Sequence, residues 1–211
     1  MEQKHGKDDG KAAAKPRGRP RQYDPKAALD RATEVFWKSG YANASLDEIA
    51  AAAGMNRPSL RAAFGDKHAL YLEALRAYWD QKFDLMREAL AARTLPAALM
   101  RAYDAALSVY FSADEAARGC FVVGTAITEA PDDNEIQRLV TDGFRRLDSD
   151  FEARIRAAQA AGEIAADADP QALALLATAT MHTLAVRARA GTPRAALRAL
   201  AQRAVAAICR G

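Results

Sequence analysis

Apolar residues recur every three or four positions along most of the chain, and this spacing predicts α-helices rather than strands. The first such segment begins at Asp24-Pro25, an N-cap followed by a first-turn proline, and ends near Gly40. Strand patterns are nearly absent from the rest of the sequence, so we expect an all-α protein. The apolar stripe of this first helix consists of Ala28, Leu29, Ala32, Val35 and Phe36.

A short helix is predicted next, starting at Ser45. Ser45 and Glu48 have the spacing of a capping box, in which each side chain bonds to the backbone amide of the other residue. Gly54 then provides the permissive backbone that ends this helix in a short turn. The apolar positions of the helix are Leu46, Ile49, Ala50 and Ala53.

A second short helix follows the turn, with Asn56 as its N-cap and Pro58 in its first turn. Leu60 and Phe64 lie on the same side of this helix and are expected to face the core. Two short helices joined by a glycine-containing turn form a helix-turn-helix, the geometry that places the second helix in the DNA major groove. The side chains left on its outer face are Arg57, Ser59, Arg61 and Ala62.

The apolar pattern then continues without a break from Asp66 to Leu90. This predicts a long helix that connects the helix-turn-helix to a second core and acts as a lever between them. Further helices are predicted after a turn at residues 94–96, over residues 121–130, and from a capping pair formed by Asp132 and Glu135.

The last two helices are predicted from Asp169-Pro170 and Thr192-Pro193, each interpreted as an N-cap followed by a proline. Their apolar faces are wide and rich in alanine, which suits helices that pack closely on both sides. We therefore expect residues 170–209 to form a four-helix interface in a homodimer. The alternative is that the two helices only complete the core of their own chain.

The length of 211 residues allows one or two domains with a real core. We expect a disordered basic arm at residues 1–22, a helix-turn-helix domain at residues 23–67 and a C-terminal helical domain at residues 68–211. No apolar run suits a membrane span or a signal peptide, so we expect a cytoplasmic protein without a membrane partner. Cys120 and Cys209 have no Cys or His at ligand spacing, which predicts neither a disulfide framework nor a metal site.

The net charge of +3 is unevenly distributed, because residues 1–21 contain seven Lys or Arg and three acids. Within them Arg17, Arg19 and Arg21 alternate with Pro and Gly in a segment that resembles an AT-hook core. Arginines in such segments enter the narrow minor groove of A·T-rich DNA. A solubilising tail is the alternative, but the position directly before a helix-turn-helix favours a minor-groove arm.

The segment from Ala28 to about Leu75 resembles the DNA-binding domain of the TetR (tetracycline-repressor-like) family of bacterial transcriptional regulators. The order and spacing of a supporting helix, a turn, a recognition helix and a Phe-x-x-Lys step all coincide with the family pattern. The remainder of the chain resembles the family only in its helical architecture. The family-like residues are Ala32, Phe36, Gly40, Tyr41, Ser45, Ile49, Ala50, Ala53, Gly54, Ser59, Leu60, Phe64, Lys67 and Leu70.

This resemblance implies a homodimeric regulator that binds a near-palindromic double-stranded DNA operator. It also implies that the C-terminal domain mediates ligand binding and dimerisation. A small-molecule effector would enter this domain and release the DNA. The DNA-binding residues expected in the folded unit are Ser45, Asn56, Arg57, Ser59, Arg61 and Lys67.

One of these positions departs from the family pattern, since Arg61 stands where the family usually has a tyrosine. Arg57 and Arg61 are one helical turn apart and no nearby acid is expected, which favours contact with an anion. Arg61 would hold a phosphate or read a guanine edge, and both alternatives stay open. Lys67 is expected to take a phosphate.

Candidate effector contacts are bulky or amphipathic residues on the helices of the C-terminal domain, where an apolar wall and a polar group occur together. Ordinary core packing is the alternative for each of them. Cys120 differs in kind, because it follows Arg118-Gly119 at a predicted helix start, where the helix dipole and the arginine would favour a thiolate that senses oxidants or electrophiles. The candidates are Trp79, Phe83, Met100, Tyr103, Cys120 and His182.

Two other classes of function are weighed against a ligand-responsive repressor. An A·T-preferring architectural protein would use the basic arm and need no effector. An enzyme would need paired carboxylates, a phosphate loop, metal-ligand spacing or a nucleophile with its base, and the sequence contains no such pattern in a recognisable context. We therefore expect a DNA-binding regulator without a cofactor.

Overall fold

The computed structural model describes residues 24–111 and 117–210. The predicted basic arm, including Arg17, Arg19 and Arg21, lies outside the described residues. Over the described ranges the chain forms nine α-helices and one π-helical segment, and the only strand-like feature is an isolated bridge between Phe111 and Ala117. The elements are α1 (Pro25–Asn43), α2 (Leu46–Ala52), α3 (Arg57–Phe64), α4 (Lys67–Leu90), α5 (Leu95–Tyr110), the π-helical segment (Val122–Ala126), α6 (Ile127–Glu129), α7 (Asn134–Ala160), α8 (Pro170–Arg189) and α9 (Arg194–Ile208).

The predicted helix starts of the N-terminal half are confirmed by their caps. The Asp24 carboxylate accepts a bond from the Lys26 amide at 2.9 Å, and the Asp66 carboxylate accepts one from the Ala69 amide at 2.8 Å. Gly40 has a φ of +79°, so α1 kinks where the sequence predicted its end. Each start is therefore held by a side chain within three residues of the amide it satisfies.

Three details of the C-terminal half differ from the prediction. The cap of α7 is Asp133, not Asp132, because the Asp133 carboxylate accepts bonds from the amides of Glu135 and Ile136 at 2.9 and 3.0 Å. The amide of Thr192 donates to the Arg187 carbonyl at 2.9 Å and so completes the end of α8, which leaves Pro193 as the cap of α9.

The third difference concerns the helix predicted over residues 121–130, which is wider than an α-helix in its first half. The amide of Ile127 donates to the carbonyl of Val122, five residues earlier, as in a π-helix. The Thr125 hydroxyl also donates to the Phe121 carbonyl at 2.7 Å. Periodicity in the sequence does not distinguish this turn from an α-helical one.

Helix α1 joins the helix-turn-helix to the C-terminal half through Trp37. The indole N–H donates to the Arg118 carbonyl at 3.2 Å, and the ring packs against Tyr78 and Phe121 at centroid distances of 5.4 and 5.5 Å. The Arg118 guanidinium lies 4.1 Å from the centre of the Trp37 ring and pairs with Glu34. The two halves of the chain thus share a continuous aromatic core.

The C-terminal half is a bundle in which α8 packs between α7 and α9, while α4 and α5 close the other side. The core faces of these helices are buried, but α8 leaves three large apolar side chains exposed: Leu175, Leu176 and Val186. Among the helices of the described ranges, none is both long and apolar enough to cross a membrane.

Candidate functional site

The outer face of α3 carries the predicted DNA-contacting side chains. Leu60 and Phe64 are buried, while Arg57, Ser59 and Arg61 are exposed, as the helical spacing predicted. Because the apolar residues face the core, the helix presents a polar surface that is free to lie in a groove of DNA.

The two predicted capping side chains hold α2 and α3 at fixed starts. The Asn56 side-chain oxygen accepts a bond from the Ser59 amide at 2.8 Å. The Ser45 hydroxyl accepts one from the Glu48 amide at 3.1 Å, and the Glu48 carboxylate accepts one from the Ser45 amide at 3.0 Å. These bonds from Ser45 hold the pKa of Glu48 below its ordinary value. Ser45 and Asn56 therefore have a structural role in addition to any contact with DNA.

Arg57 has an acidic neighbour that the pattern of its own helix did not predict. Its Nε atom lies 3.4 Å from a carboxylate oxygen of Asp47, on α2. Both side chains are more than half exposed, at 58% and 73%, and an exposed pair of this kind contributes less than about 1 kcal/mol. A phosphate can therefore replace Asp47 at small cost.

A cleft of about 450 Å³ runs beside α3 and is lined by both Arg57 and Arg61. Leu46, Pro58 and Leu60 form its apolar side. Arg57 and Arg61 thus border one concave surface.

Lys67, expected to take a phosphate, is held by contacts within the protein. Its ammonium donates to the Ala42 carbonyl at 3.2 Å and lies 4.7 Å from the centre of the Tyr41 ring. These contacts fix the first residue of α4 to the end of α1. Lys67 is half-buried. Its ammonium lies close to the helix-turn-helix and contacts protein groups there.

The beginning of α4 also contacts the C-terminal half directly. His68 Nε2 lies 2.7 Å from the Asp133 carboxylate at the start of α7, and the hydroxyls of Tyr71 and Thr125 are 2.7 Å apart. The amides of Ile136 and Glu135, together with His68, hold the pKa of Asp133 below its ordinary value. A shift of α4 relative to α7 would therefore be transmitted to the residue next to Lys67.

Three of the predicted effector contacts lie in one cluster. The rings of Trp79 and Phe83 stack at 5.3 Å on α4, Phe144 of α7 packs edge-on against Trp79 at 5.7 Å, and His182 of α8 lies 4.8 Å from Phe144. On the outer side of Trp79 and Phe83 is an open groove of about 290 Å³ between α4 and α7.

Lys82 is the member of this cluster that sequence reasoning missed. It is only 6% exposed, and its amine lies 5.4 Å from the centre of the Trp79 ring. Its burial could have been predicted from its position on the apolar stripe of α4, one turn after Tyr78 and one turn before Met86. Burial of an ammonium is costly unless a partner compensates it, and no described protein group is within hydrogen-bonding distance of this amine.

The other three candidates lie elsewhere in the core. Met100 is half-buried on α5, and the Tyr103 hydroxyl donates to the Ala177 carbonyl at 3.1 Å. Cys120 is buried, and its sulfur accepts a bond from the Tyr78 hydroxyl at 3.1 Å. Arg118, expected beside the thiol, lies over Trp37 instead. Tyr103 and Cys120 are thus buried and hydrogen-bonded in the core, and Cys120 also lines a cleft of about 380 Å³ beside α8.

Two family models match the chain, and together they span most of it. Residues 28–74 match the family described as bacterial regulatory proteins, tetR family, and residues 96–204 match the tetracyclin repressor-like C-terminal domain. The second match alone covers more than half of the chain. The chain belongs to the TetR family. It is therefore a transcriptional regulator and not an enzyme.

Individual similar proteins extend the match over as much as 90% of the chain. The chain is 30% identical to the transcriptional repressor ComR of Escherichia coli, over 87% of this chain and 88% of ComR. It is 30% identical to the regulator YezE of Bacillus subtilis, over 74% of this chain and 81% of YezE. Among solved structures, the TetR-family regulator CifR, a cysteine mutant in complex with a 26 bp double-strand operator DNA, matches at 34% identity with a TM-score of 0.81, over 90% of this chain and 99% of that chain.

The cluster in this TetR-family protein makes its stability depend on pH through His182. Burial, and secondarily the charge of Lys82, lowers the pKa of His182 to about 4 from an ordinary value of 6.5. Between these values the unfolded chain binds a proton that the folded chain does not, so stability falls as the pH falls. We expect the free energy of unfolding to drop by about 3 kcal/mol across this interval.

Urea unfolding measured from neutral pH down to about pH 4 would test this expectation. The variant His182→Gln cannot take up the proton and should lose most of the drop, whereas His68→Gln, at the half-exposed contact with Asp133, should retain it. An unchanged pH dependence in His182→Gln would contradict the assignment.

Proposed function

We propose that this protein is a repressor that binds a near-palindromic operator as a homodimer and dissociates when a small-molecule effector occupies its C-terminal domain. The observation that carries the proposal is the face of α3, where two arginines and Ser59 are exposed while the apolar residues of the same helix are buried. Arginine on a recognition helix reads guanine edges or holds phosphates.

Similar proteins support this function. ComR, 30% identical, is a transcriptional repressor, and CifR, 34% identical, was solved with double-strand operator DNA. Shorter matches include a repressor, BdcR of Escherichia coli, and an activator, FasR of Mycolicibacterium smegmatis. We favour repression because the longest of these curated matches is to a repressor.

Exposed apolar residues on α8 support the homodimer. Leu175, Leu176 and Val186 are 61%, 55% and 54% exposed in the single chain, and a second copy of α8 and α9 would cover them. Small side chains on both helices permit close packing in a symmetric four-helix interface. In such a dimer the two α3 helices would need a separation of about 34 Å to enter successive major grooves.

Helix α4 supports release by an effector. Its 24 residues span about 36 Å, from Lys67 beside the helix-turn-helix to Leu90 in the C-terminal bundle. An effector that binds better when α4 is displaced would favour dimers whose α3 helices have the wrong separation.

A nuclease footprint on genomic DNA tests the proposal against an architectural role. A repressor should protect one short palindromic site with a large ratio of specific to nonspecific affinity. Continuous coating of A·T-rich DNA without a preferred site would support the architectural alternative instead.

Charge placed on the exposed face of α8 should dissociate the dimer. Leu175 and Leu176 are both more than half exposed, so the variant Leu175→Glu/Leu176→Glu should still fold as a single chain. In a dimer, however, it would bring four carboxylates together at the interface, and they would repel one another. Sedimentation equilibrium should show a monomer, and operator affinity should fall by at least about a hundredfold because one half-site is no longer held. Ala153→Glu on the exposed side of α7 is the matched control. A dimeric double variant would refute the assigned interface.

Removal of residues 1–21 should lower operator affinity and its salt dependence. Every phosphate that the arm no longer neutralises should reduce the slope of log affinity against log salt by up to about 0.9, while the palindromic preference remains. The full-length variant Arg17→Ala/Arg19→Ala/Arg21→Ala separates minor-groove binding from the general charge of the arm. If operator affinity at moderate salt is unchanged by the removal of residues 1–21, the arm serves only as a solubilising tail.

A further inference from the structure

Four buried side-chain nitrogen and oxygen atoms of the described residues have no hydrogen-bond partner: Trp79 Nε1, Lys82 Nζ, Tyr110 Oη and His182 Nε2. They are concentrated in one region. The Lys82 amine lies over the Trp79 ring, Lys82 and Tyr110 line one small cavity, and the charge of Lys82 acts on the His182 ring. Buried polar groups are nearly always paired in folded proteins, so a cluster of unpaired ones points to a binding partner that is not part of the chain.

The chemistry of this cluster favours an anion. Lys82 and Trp79 offer only donors, and both are more than nine-tenths buried. Asp148, whose charge also acts on His182, already accepts the Thr178 hydroxyl at 2.6 Å. A carboxylate would supply acceptors to the amine and the indole together, which neither a cation nor an apolar molecule can do.

A groove at the surface borders the cluster, and both apolar and charged side chains line it, the charged ones being Arg76, Asp80, Asp142 and Arg146. The groove between α4 and α7 has a volume of about 290 Å³, and its wall includes Trp79, Phe83 and Leu139. Trp79 lines this groove, and the Lys82 amine lies 5.4 Å from the centre of its ring. Gly143 of α7 allows the indole to lie there, since a Cβ atom at this glycine would be 2.2 Å from the ring.

We infer that the C-terminal half binds a small aromatic carboxylate, with the carboxylate on Lys82 and Trp79 Nε1 and the ring against Phe83 and Phe144. The cavity beside Lys82 has a volume of only about 10 Å³, enough for a single water molecule. The carboxylate therefore enters only when the Trp79 indole swings aside and α4 moves relative to α7.

This movement connects the inferred ligand to DNA release, and in that respect the inference rests on the proposed function. Trp79 lies twelve residues after Lys67 on the same helix, and His68 links the start of α4 to the start of α7. Separation of α4 from α7 at Trp79 would thus be carried to the base of the helix-turn-helix.

The experiment compares phenylpropanoate with its neutral amide on the full-length Trp37→Phe variant. Because the chain contains only two tryptophans, Trp79 is then the sole indole reporter. We expect the acid to change Trp79 fluorescence and to bind at least about tenfold more tightly than the amide. Lys82→Met in the same background keeps the aliphatic stem and should abolish this preference, weakening the acid at least about tenfold and leaving the amide nearly unchanged.

Arg87→Met is the matched control, because Arg87 is exposed on the same helix and paired with Asp84 outside the cluster. It should retain the preference for the acid. Equal binding of acid and amide, no binding of the acid, or a preference that survives in Lys82→Met would each overturn the inference. Operator affinity is measured without probe on the unsubstituted full-length chain: failure to bind any operator would refute the proposed function, whereas normal operator binding with indifference to the acid would refute only the anionic ligand.

Discussion

Replacement of Arg57 and Arg61 together by alanine is expected to weaken operator binding by at least about a hundredfold, or about 3 kcal/mol. Both side chains are exposed on α3 and border the same cleft, and a guanidinium that reads a guanine contributes about 1 to 3 kcal/mol. Loss of the Arg57–Asp47 pair adds little to this effect, because both partners are largely exposed. Fluorescence anisotropy with labelled operator measures the change.

The single variants distinguish base reading from phosphate binding. If Arg61 reads a base, Arg61→Ala should lower the affinity for the operator more than that for unrelated DNA; if it holds a phosphate, both affinities should fall alike. The control is Arg87→Ala/Arg145→Ala, which removes two exposed arginines from α4 and α7. If Arg57→Ala/Arg61→Ala bound the operator as tightly as this control does, α3 would not be the helix that reads the DNA.

Gly143→Ala is expected to destabilise the protein by about 1 to 3 kcal/mol, although alanine is the better helix former. The added Cβ atom would lie 2.2 Å from the Trp79 ring, and this ring is rigid and only 4% exposed. Helices α4 and α7 must separate to admit the methyl group. The free energy of unfolding in urea should fall, and in the Trp37→Phe background the Trp79 fluorescence should report a changed environment.

Gly124→Ala provides the comparison for this prediction. Its Cβ atom would meet the guanidinium end of Arg189 at 2.7 Å, and an exposed arginine can move away. We expect its stability to change by less than about 1 kcal/mol. Equal stability losses in the two variants would contradict the view that Trp79 is clamped against the backbone of α7.

The helix-turn-helix was predictable because its determinants are local. Ser45 with Glu48 and Asn56 with Ser59 are three residues apart, so their caps are set by short-range hydrogen bonds that the sequence displays directly. The burial of Leu60 and Phe64 follows from helical spacing in the same way. Errors appeared where two neighbouring residues compete for the same cap, as with Asp132 and Asp133.

The effector candidates were predictable as residue types but not as a cluster. Trp79 and His182 stand on α4 and α8, and only the packing of α7 between those helices brings Phe144 against both rings. Lys82 could have been noticed on its apolar stripe, but its burial depends on helices that are distant in sequence. Asp47 reaches Arg57 for a similar reason, because the turn between α2 and α3 folds one helix against the other.

Local sequence patterns are sufficient to predict the all-α class, the positions of most helices and the polar outer face of α3, since periodicity and capping act over a few residues. Which polar atoms lack a partner is known only from the packing of the helices. Whether the side-chain nitrogens of Lys82, Trp79 and His182 have hydrogen-bond partners depends on the groups that four different helices bring near them. The identity of a side chain alone does not contain this information.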